Sequence, residues 1–571
     1  MVALDWIILI GTLLFIVLYG AWKTRKNSSI SSYLKGDNQM NSWTIGLSVM
    51  ATQASAITFL STPGQAYENG MGFVQFYFGL PIALIIVSAV FIPIYYKLNV
   101  YTAYEYLEQR FGLKTRLFTA FLFLISRGLA AGITIYAPSI VLSSLLGWDL
   151  DLTNIFVGIL VIIYTVSGGT KAVSLTQKWQ MGIIMFGMFT AFFLILENLG
   201  TRISFAQAID IGGIMGKMEI IDTEFNLKNR YTIWTGLLGG FFLSLSYFGT
   251  DQSQVQRYLG GKNLKESRMG MMFNAILKIP MQFFILFVGL MVFVFYQFNE
   301  PPAFFNTPGK QKVYQTEQVD KFKRLESDYS ATFSEKKQAI ENYLSAESSE
   351  EKAQYKKQSI DLYQKSQDIR KELKTVIKDA DVNVDGKDTD YVFLTFILKY
   401  LPHGVIGLLL AVILSAAMSS TASELNALAS TTMIDYYKRL YKTEASDQHY
   451  VIASKVLTII WGVLAIGIAL SAHLFDNLIQ LVNILGSLFY GTILGIFLVA
   501  FFIKSIKQNA LLIGALTGQT LVLILHFLTV YDYIDLGYLW YNVIGSFTVI
   551  ITALIAHKVF PTTSSMDRSN V

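Results

Sequence analysis

Five hydroxyl residues, Ser415, Ser419, Ser420, Thr421 and Ser423, fall within about two helical turns of one apolar run, with Glu424 beside them. A hydroxyl in hydrocarbon costs free energy unless it finds a partner. One such group is satisfied by the carbonyl four residues earlier, or by close packing of small residues between helices. Five together point to another chemistry. Neutral oxygens replace the water shell of a small hard cation, provided that a helix break frees carbonyls to complete the shell. The stretch SVMATQASAITFLSTPGQAYENG, residues 48–70, offers that break. Gln53, Ser55 and Thr58 are polar points inside an apolar run, and Pro63-Gly64 ends its regularity. Unwinding around Ala51–Ala54 would present carbonyl oxygens across to Ser419 and Ser420.

A second polar, Gly-broken run, GGFFLSLSYFGTDQSQVQR, spans residues 239–257. The aromatics Phe73, Phe76, Tyr77, Tyr247 and Phe248 lie at or near the two broken runs. Together with Ser55, Thr58 and Ser244 they form the walls and hydrogen-bonding points expected of a solute pocket. Arg127, in FLFLISRGLAAGITIYAP, is a charge about eleven residues into an apolar run. A buried guanidinium holds a carboxylate with a bidentate fork, whereas one nearer the helix end snorkels to the surface.

The elements that position these residues follow from hydropathy. The chain has 571 residues, 53% of them hydrophobic and 15% charged, and apolar runs of bilayer length recur along it. The runs are too long for barrel strands, so the expected fold is an all-α polytopic membrane protein. Thirteen candidate spans cover about 4–23, 43–64, 72–97, 116–146, 153–168, 172–198, 232–254, 267–298, 391–433, 450–472, 476–504, 508–529 and 537–557. Every second loop is rich in Lys and Arg, which places the N-terminus outside and the C-terminus in the cytoplasm, in a cell (inner) membrane. The broken spans two and seven are five helices apart. That spacing suits a five-plus-five inverted repeat, about 43–198 and about 232–504, with transmembrane parts at 1–298 and 391–571.

Residues 299–390 break the pattern, being dense in Lys, Glu, Asp, Gln and Ser. Phe322, Leu325, Tyr329 and Phe333 recur there at helical spacing, so a pair of helices outside the membrane is expected, as a cap or as a partner-binding surface. Its exit begins like a calcium loop at Asp381, Asn383, Asp385 and Gly386, but the twelfth position is Val392 where a bidentate acid is needed. Cysteine is absent, so thiolate metal sites are excluded.

These segments resemble the sodium:solute symporter family, whose members have the LeuT-type fold. The likeness rests on Thr52–Phe59, TAYEYLEQRFGLKTRLF (102–118), IYAP (135–138), YTVSGGTKAV (164–173), DQSQVQRYLGGK (251–262) and SAAMSSTASELNALASTTMIDYYK (415–438). It is nearest to the iodide, monocarboxylate and multivitamin branch and to the bacterial sialic-acid symporters. The resemblance implies co-transported Na⁺ on the carbonyls of Ala51, Ala54 and Ala416 and the hydroxyls of Ser419 and Ser420. It implies a solute against Gln53, Ser55, Thr58, Phe73 and Tyr77, with Ser244 and Tyr247 facing them and Tyr247 and Phe248 as inner-gate aromatics.

Two positions depart from the family pattern. Gln177 stands where many members carry an aspartate that helps form a second sodium site, so one sodium is expected. Ala130 stands where the sialic-acid carriers place their carboxylate-binding arginine, with Arg127 about one turn away. The expected function is Na⁺-coupled import of a small organic solute, a carboxylate first, by alternating access. A sodium-coupled sugar or polyol symporter, or a sodium-independent permease of the same fold, is the alternative. The polar points cluster at mid-depth rather than lining a path, which argues against a channel. Scattered His and the lack of a paired-acid set argue against an enzyme, and nothing suggests nucleic acid as a partner.

Overall fold

The computed structural model describes residues 1–23, 34, 38–380, 386, 388–471 and 478–559. The calcium-like positions Asp381, Asn383 and Asp385 lie outside the described residues. Helices dominate, and each of the thirteen expected spans holds a helical segment. Nine helices among the described residues are both long and apolar enough to cross a bilayer.

In chain order the helices are α1 (Ala3–Lys23), α2 (Ser42–Gln53) and α3 (Ala56–Asn69). A single 3₁₀ stretch leads to α4, built from Leu80–Ile86, a π turn and Ile92–Leu98. Then come α5 (Tyr104–Phe111), α6 (Leu113–Leu146), α7 (Leu150–Gly200) and α8 (Phe205–Ile214). A π turn opens α9 (Phe241–Thr250), followed by α10 (Gln252–Leu259) and α11 (Leu264–Phe298). The polar region carries α12 (Thr307–Val313), α13 (Val319–Ser345) and α14 (Ser349–Asp379). The last group is α15 (Val392–Tyr400), α16 (Val405–Thr431), α17 (Asp447–Ala469), α18 (Leu478–Phe502), α19 (Gln508–Val530) and α20 (Trp540–Val559).

Two elements differ from the sequence expectation. The ninth span, read as one stretch over 391–433, is two helices, α15 and α16. Pro402 interrupts the backbone hydrogen bonding, and Gly404 turns the chain at φ 90°, a value only glycine adopts freely. The fifth and sixth spans share one helical backbone, α7. The Tyr164 and Thr176 hydroxyls nevertheless lie 2.6 Å apart. In a straight helix those residues would be about 18 Å apart along the axis. The axis therefore folds sharply between them, and the two halves run as a hairpin.

The broken segment α2–α3 sits at the centre, packed between α11, α16 and the second half of α7. Contacts with α11 are backbone-close, since a Cβ on Gly289 would come 2.2 Å from the Pro63 carbonyl oxygen. The break itself comes from local chemistry. Ala54 leaves the helical region at ψ 72°, and Ser55 is extended at ψ 174°. Regular hydrogen bonding lapses across the pair before Ala56 restarts it.

Helices α13 and α14 pair along apolar faces, with Phe322, Leu325 and Tyr329 against Leu373 and Val376. They dock on the end of α3 through charge. Glu68 meets Lys374 at 3.5 Å and the Thr389 hydroxyl, and Arg370 and Lys374 share the buried Asp388. Lys336 is buried there with two rings as its neighbours, its Nζ 5.6 Å from the Phe333 centroid and 5.7 Å from that of Tyr363. Burial, with a smaller push from Arg370, drives its ammonium down to about 7. The unfolded chain keeps that proton up to about 10.4, so between those values the unfolded state binds more protons and stability rises with pH. Lys336→Met is expected to raise the melting temperature at neutral pH and to flatten its rise toward pH 9. Unchanged melting curves would refute this account of Lys336.

Candidate functional site

The gap between α2 and α3 faces α16 at the serine cluster. The Ser419 hydroxyl lies 3.4 Å from the Ala51 carbonyl oxygen, within donating distance across 368 residues of chain. The Ser420 hydroxyl reaches the Ala416 carbonyl at 3.0 Å and that of Ala417 at 3.2 Å. Ala54 is the residue at which α2 ends, fully buried, with its N–H donating to Met50 at 2.7 Å. Every oxygen in this group is uncharged, and the residues that carry them are buried. Such a set can strip and hold a small hard cation, which pays no charge-pair desolvation on the protein side.

Beside it, Gln177 organises a second polar knot. Its amide nitrogen donates to Ser423 Oγ at 2.8 Å, Thr52 Oγ1 at 3.1 Å and the Ser419 carbonyl at 3.3 Å. Its amide oxygen accepts from Ser48. The three oxygens that converge here are thus turned toward N–H groups.

A cavity of about 90 Å³ lies against the break. Of the residues expected at a solute pocket, Gln53, Ser55, Thr58, Tyr77, Ser244 and Tyr247 line it, as does Arg127. Phe73 and Phe248 do not line it. Phe73 stacks on Phe76 at 5.6 Å and borders a separate outer depression with Tyr231. Phe248 is fully buried behind Tyr247, their ring centroids 4.9 Å apart.

Arg127 departs from the expectation of a free fork. Its Nε donates to Asp251 Oδ2 at 3.1 Å and its Nη1 to Glu424 Oε1 at 3.0 Å, and Nη2 meets Asp251 and the Tyr490 hydroxyl. Asp251 closes the gap between α9 and α10 and caps α10 by accepting from the Ser253 N–H. The guanidinium therefore ties α6 to the α9–α10 break, to α16 and to α18. Sequence reasoning passed over Asp251, Thr134, Tyr490 and the cavity role of Glu424. The two acids carried a signal, because each is a charge in an apolar or broken run. Tyr490 carried none, since aromatics are common in such helices.

The profile of the "Sodium:solute symporter family" matches residues 33–318 and 375–518. The chain belongs to this family. Na⁺ is accordingly its co-transported ion, and it is a multi-pass membrane transporter. The stretch left out between residues 318 and 375 is α13 and most of α14, the polar pair docked on α3.

The symporter is 26% identical to the "Sodium/sialic acid symporter SiaT" of Proteus mirabilis, over 98% of this chain and 95% of that one. It is 24% identical to the human "Sodium-coupled monocarboxylate transporter 2", over 88% of this chain and 68% of that one. A solved substrate-bound, outward-open Na⁺-coupled sialic acid symporter shares its fold with TM-score 0.73 and 23% identity, covering 98% of each chain.

Proposed function

We propose that this symporter imports a small organic carboxylate, carrying one Na⁺ per cycle through the oxygens of Ala51, Ala54, Ala416, Ser419 and Ser420. The reading rests first on the approach of the Ser419 hydroxyl to the Ala51 carbonyl across a broken helix. Gln53, Ser55, Thr58, Tyr77, Ser244 and Tyr247 form the solute wall. Phe73 and Phe248 act behind that wall, as packing for its aromatics.

The carboxylate meets the start of α3 rather than Arg127. Ser55 makes no side-chain cap there and Thr58 N–H donates to the Ser55 carbonyl at 2.9 Å, so the N–H groups of Ala56 and Ile57, at the start of a 14-residue half-helix, are the ones that face an anion beside the ion. Arg127 is already engaged with Asp251 and Glu424. A single sodium fits the Gln177 knot, where an amide does the work a second cation would do. One Na⁺ falling through ~100 mV releases roughly 2.3 kcal/mol, and a tenfold gradient adds about 1.4 kcal/mol. A monoanion cancels the charge, so its accumulation follows the chemical gradient of Na⁺ alone.

Alternation of basic loops supports an N-terminus outside, a cytoplasmic C-terminus and the 299–390 insertion on the outer face. There it holds the outer end of α3 through Glu68, which suits a brace on the moving half-helix. The test is uptake by reconstituted protein of three-carbon carboxylates in Na⁺ against K⁺. Sodium-dependent uptake with a Hill coefficient near one is the expected result. Uptake indifferent to Na⁺ would sink the ion assignment.

A further inference from the structure

The ion cluster beside the cavity holds more negative charge than it neutralises, and of its three members Glu424 and Arg127 line the cavity itself. Arg127 supplies one positive charge, whereas Asp251 and Glu424 supply two negative ones. Asp251 is fully used: Oδ1 accepts from the Ser253 N–H and hydroxyl, and Oδ2 accepts from Arg127 and the Tyr490 hydroxyl. Glu424 is not. Oε1 accepts from Arg127 and Oε2 from Thr134 at 2.7 Å, which leaves one lone pair on each oxygen, and the residue faces the cavity. The side-chain oxygen of Gln53, also on that wall, has no donor at all.

Four aromatic rings complete the same wall. Phe76 and Tyr77 meet edge to face at 4.8 Å, and Tyr247 and Tyr490 lie 5.9 Å apart. Ring faces attract cations: Arg127 already lies 5.3 Å from the Tyr247 centroid and Lys278 5.5 Å from that of Tyr77, which leaves Phe76 and Tyr490 to join the Glu424 carboxylate in receiving another. A bare monoanion would meet the Glu424 carboxylate here and leave the spare acceptors unfilled.

We infer that the solute carries an ammonium group, held by Glu424 and the aromatic rings, and is a small zwitterion such as an amino acid. This inference rests on the small-carboxylate reading above, since the other end of the zwitterion still requires the α3 start and Na⁺. It places Glu424 as the residue that separates aminated from plain carboxylates. The cavity of about 90 Å³ suits a solute of a few heavy atoms.

The experiment compares L-alanine, L-lactate and propionate, which share a three-carbon carboxylate and differ in one substituent. Thermal stabilisation of the full-length purified protein is titrated with each in Na⁺ and in K⁺, for the natural chain, Glu424→Gln and Glu424→Asp. Alanine is expected to stabilise in Na⁺ at concentrations tenfold or more below lactate and propionate. Glu424→Gln should abolish that preference and Glu424→Asp keep part of it, while the stabilisation by Na⁺ alone persists in both.

Lactate or propionate binding as well as alanine would overturn the ammonium assignment and leave the carboxylate reading standing. Failure of all three would overturn both. If Glu424→Gln weakens the Na⁺ response and leaves the ranking of the three solutes intact, Glu424 serves the ion and the inference falls. Should neither variant yield folded protein, the natural chain's ranking alone decides between these outcomes.

Discussion

Replacing Ser419 and Ser420 together with alanine raises the half-saturating Na⁺ concentration for uptake by about tenfold or more, equivalent to about 1.4 kcal/mol or above. The argument is one of ligand count. Na⁺ gives up its water shell only for several oxygens at close range. The proposed set has five, two of them side-chain hydroxyls on one turn of α16. Carbonyls freed at Ala51 and Ala54 cannot move far, because α2 and α3 are wedged against α11 at backbone distance. Loss of two hydroxyls therefore leaves a gap that neither backbone nor neighbouring side chains fill. The double variant should keep its fold, since Ser420 donates to carbonyls of its own helix, the Ser419 contact to Ala51 is long at 3.4 Å, and alanine suits a helix. Uptake as a function of Na⁺, with solute held saturating, checks it. An unchanged half-saturation would make the two hydroxyls packing groups only.

Gln177→Asp should change the sodium stoichiometry. In the natural chain the amide donates to Thr52, Ser423 and the Ser419 carbonyl. A carboxylate has no N–H to offer and brings a buried negative charge. Three oxygens plus that charge form a dry cation site, and an unpaired buried acid is costly enough to demand one. The Hill coefficient for Na⁺ is expected to rise from about one to about two, because ion binding at linked sites becomes coupled. Transport of a monoanion should then become electrogenic, as two positive charges accompany one negative. Gln177→Leu is the control: it removes the donors without adding charge, so it should lower stability and leave the Hill coefficient near one. A Gln177→Asp carrier with a Hill coefficient of about one and electroneutral uptake would show that the amide is a strut rather than a stand-in for an ion.

Much of the architecture was legible before any coordinates. Apolar runs of bilayer length are a cumulative signal over some twenty residues, and no soluble fold tolerates so many. The break at Ala54 and Ser55 was legible because Gln, Ser and Thr recur where an unbroken membrane helix would carry aliphatic side chains. Other features depend on what lies across from a residue. The α7 hairpin is one: a Gly-Gly pair in a sequence bends a helix or sits in a straight one, and only the meeting of Tyr164 with Thr176 decides that this helix folds back. Phe73 and Phe248 are similar, since an aromatic beside a break faces the cavity or backs it according to helix rotation.

Sequence alone determined that this chain crosses a membrane many times, that two of its spans are broken, and that hydroxyls rather than acids face one break. These properties are local, set by the run of residues along a single segment. Only the tertiary structure decided what Arg127 does. A lone arginine in a membrane helix reads as a fork awaiting an anion. Asp251 lies 124 residues away and Glu424 lies 297 residues away, and the fold brings both against it. Charge compensation inside a dry protein is settled by proximity in space, and spacing along the chain carries no record of it.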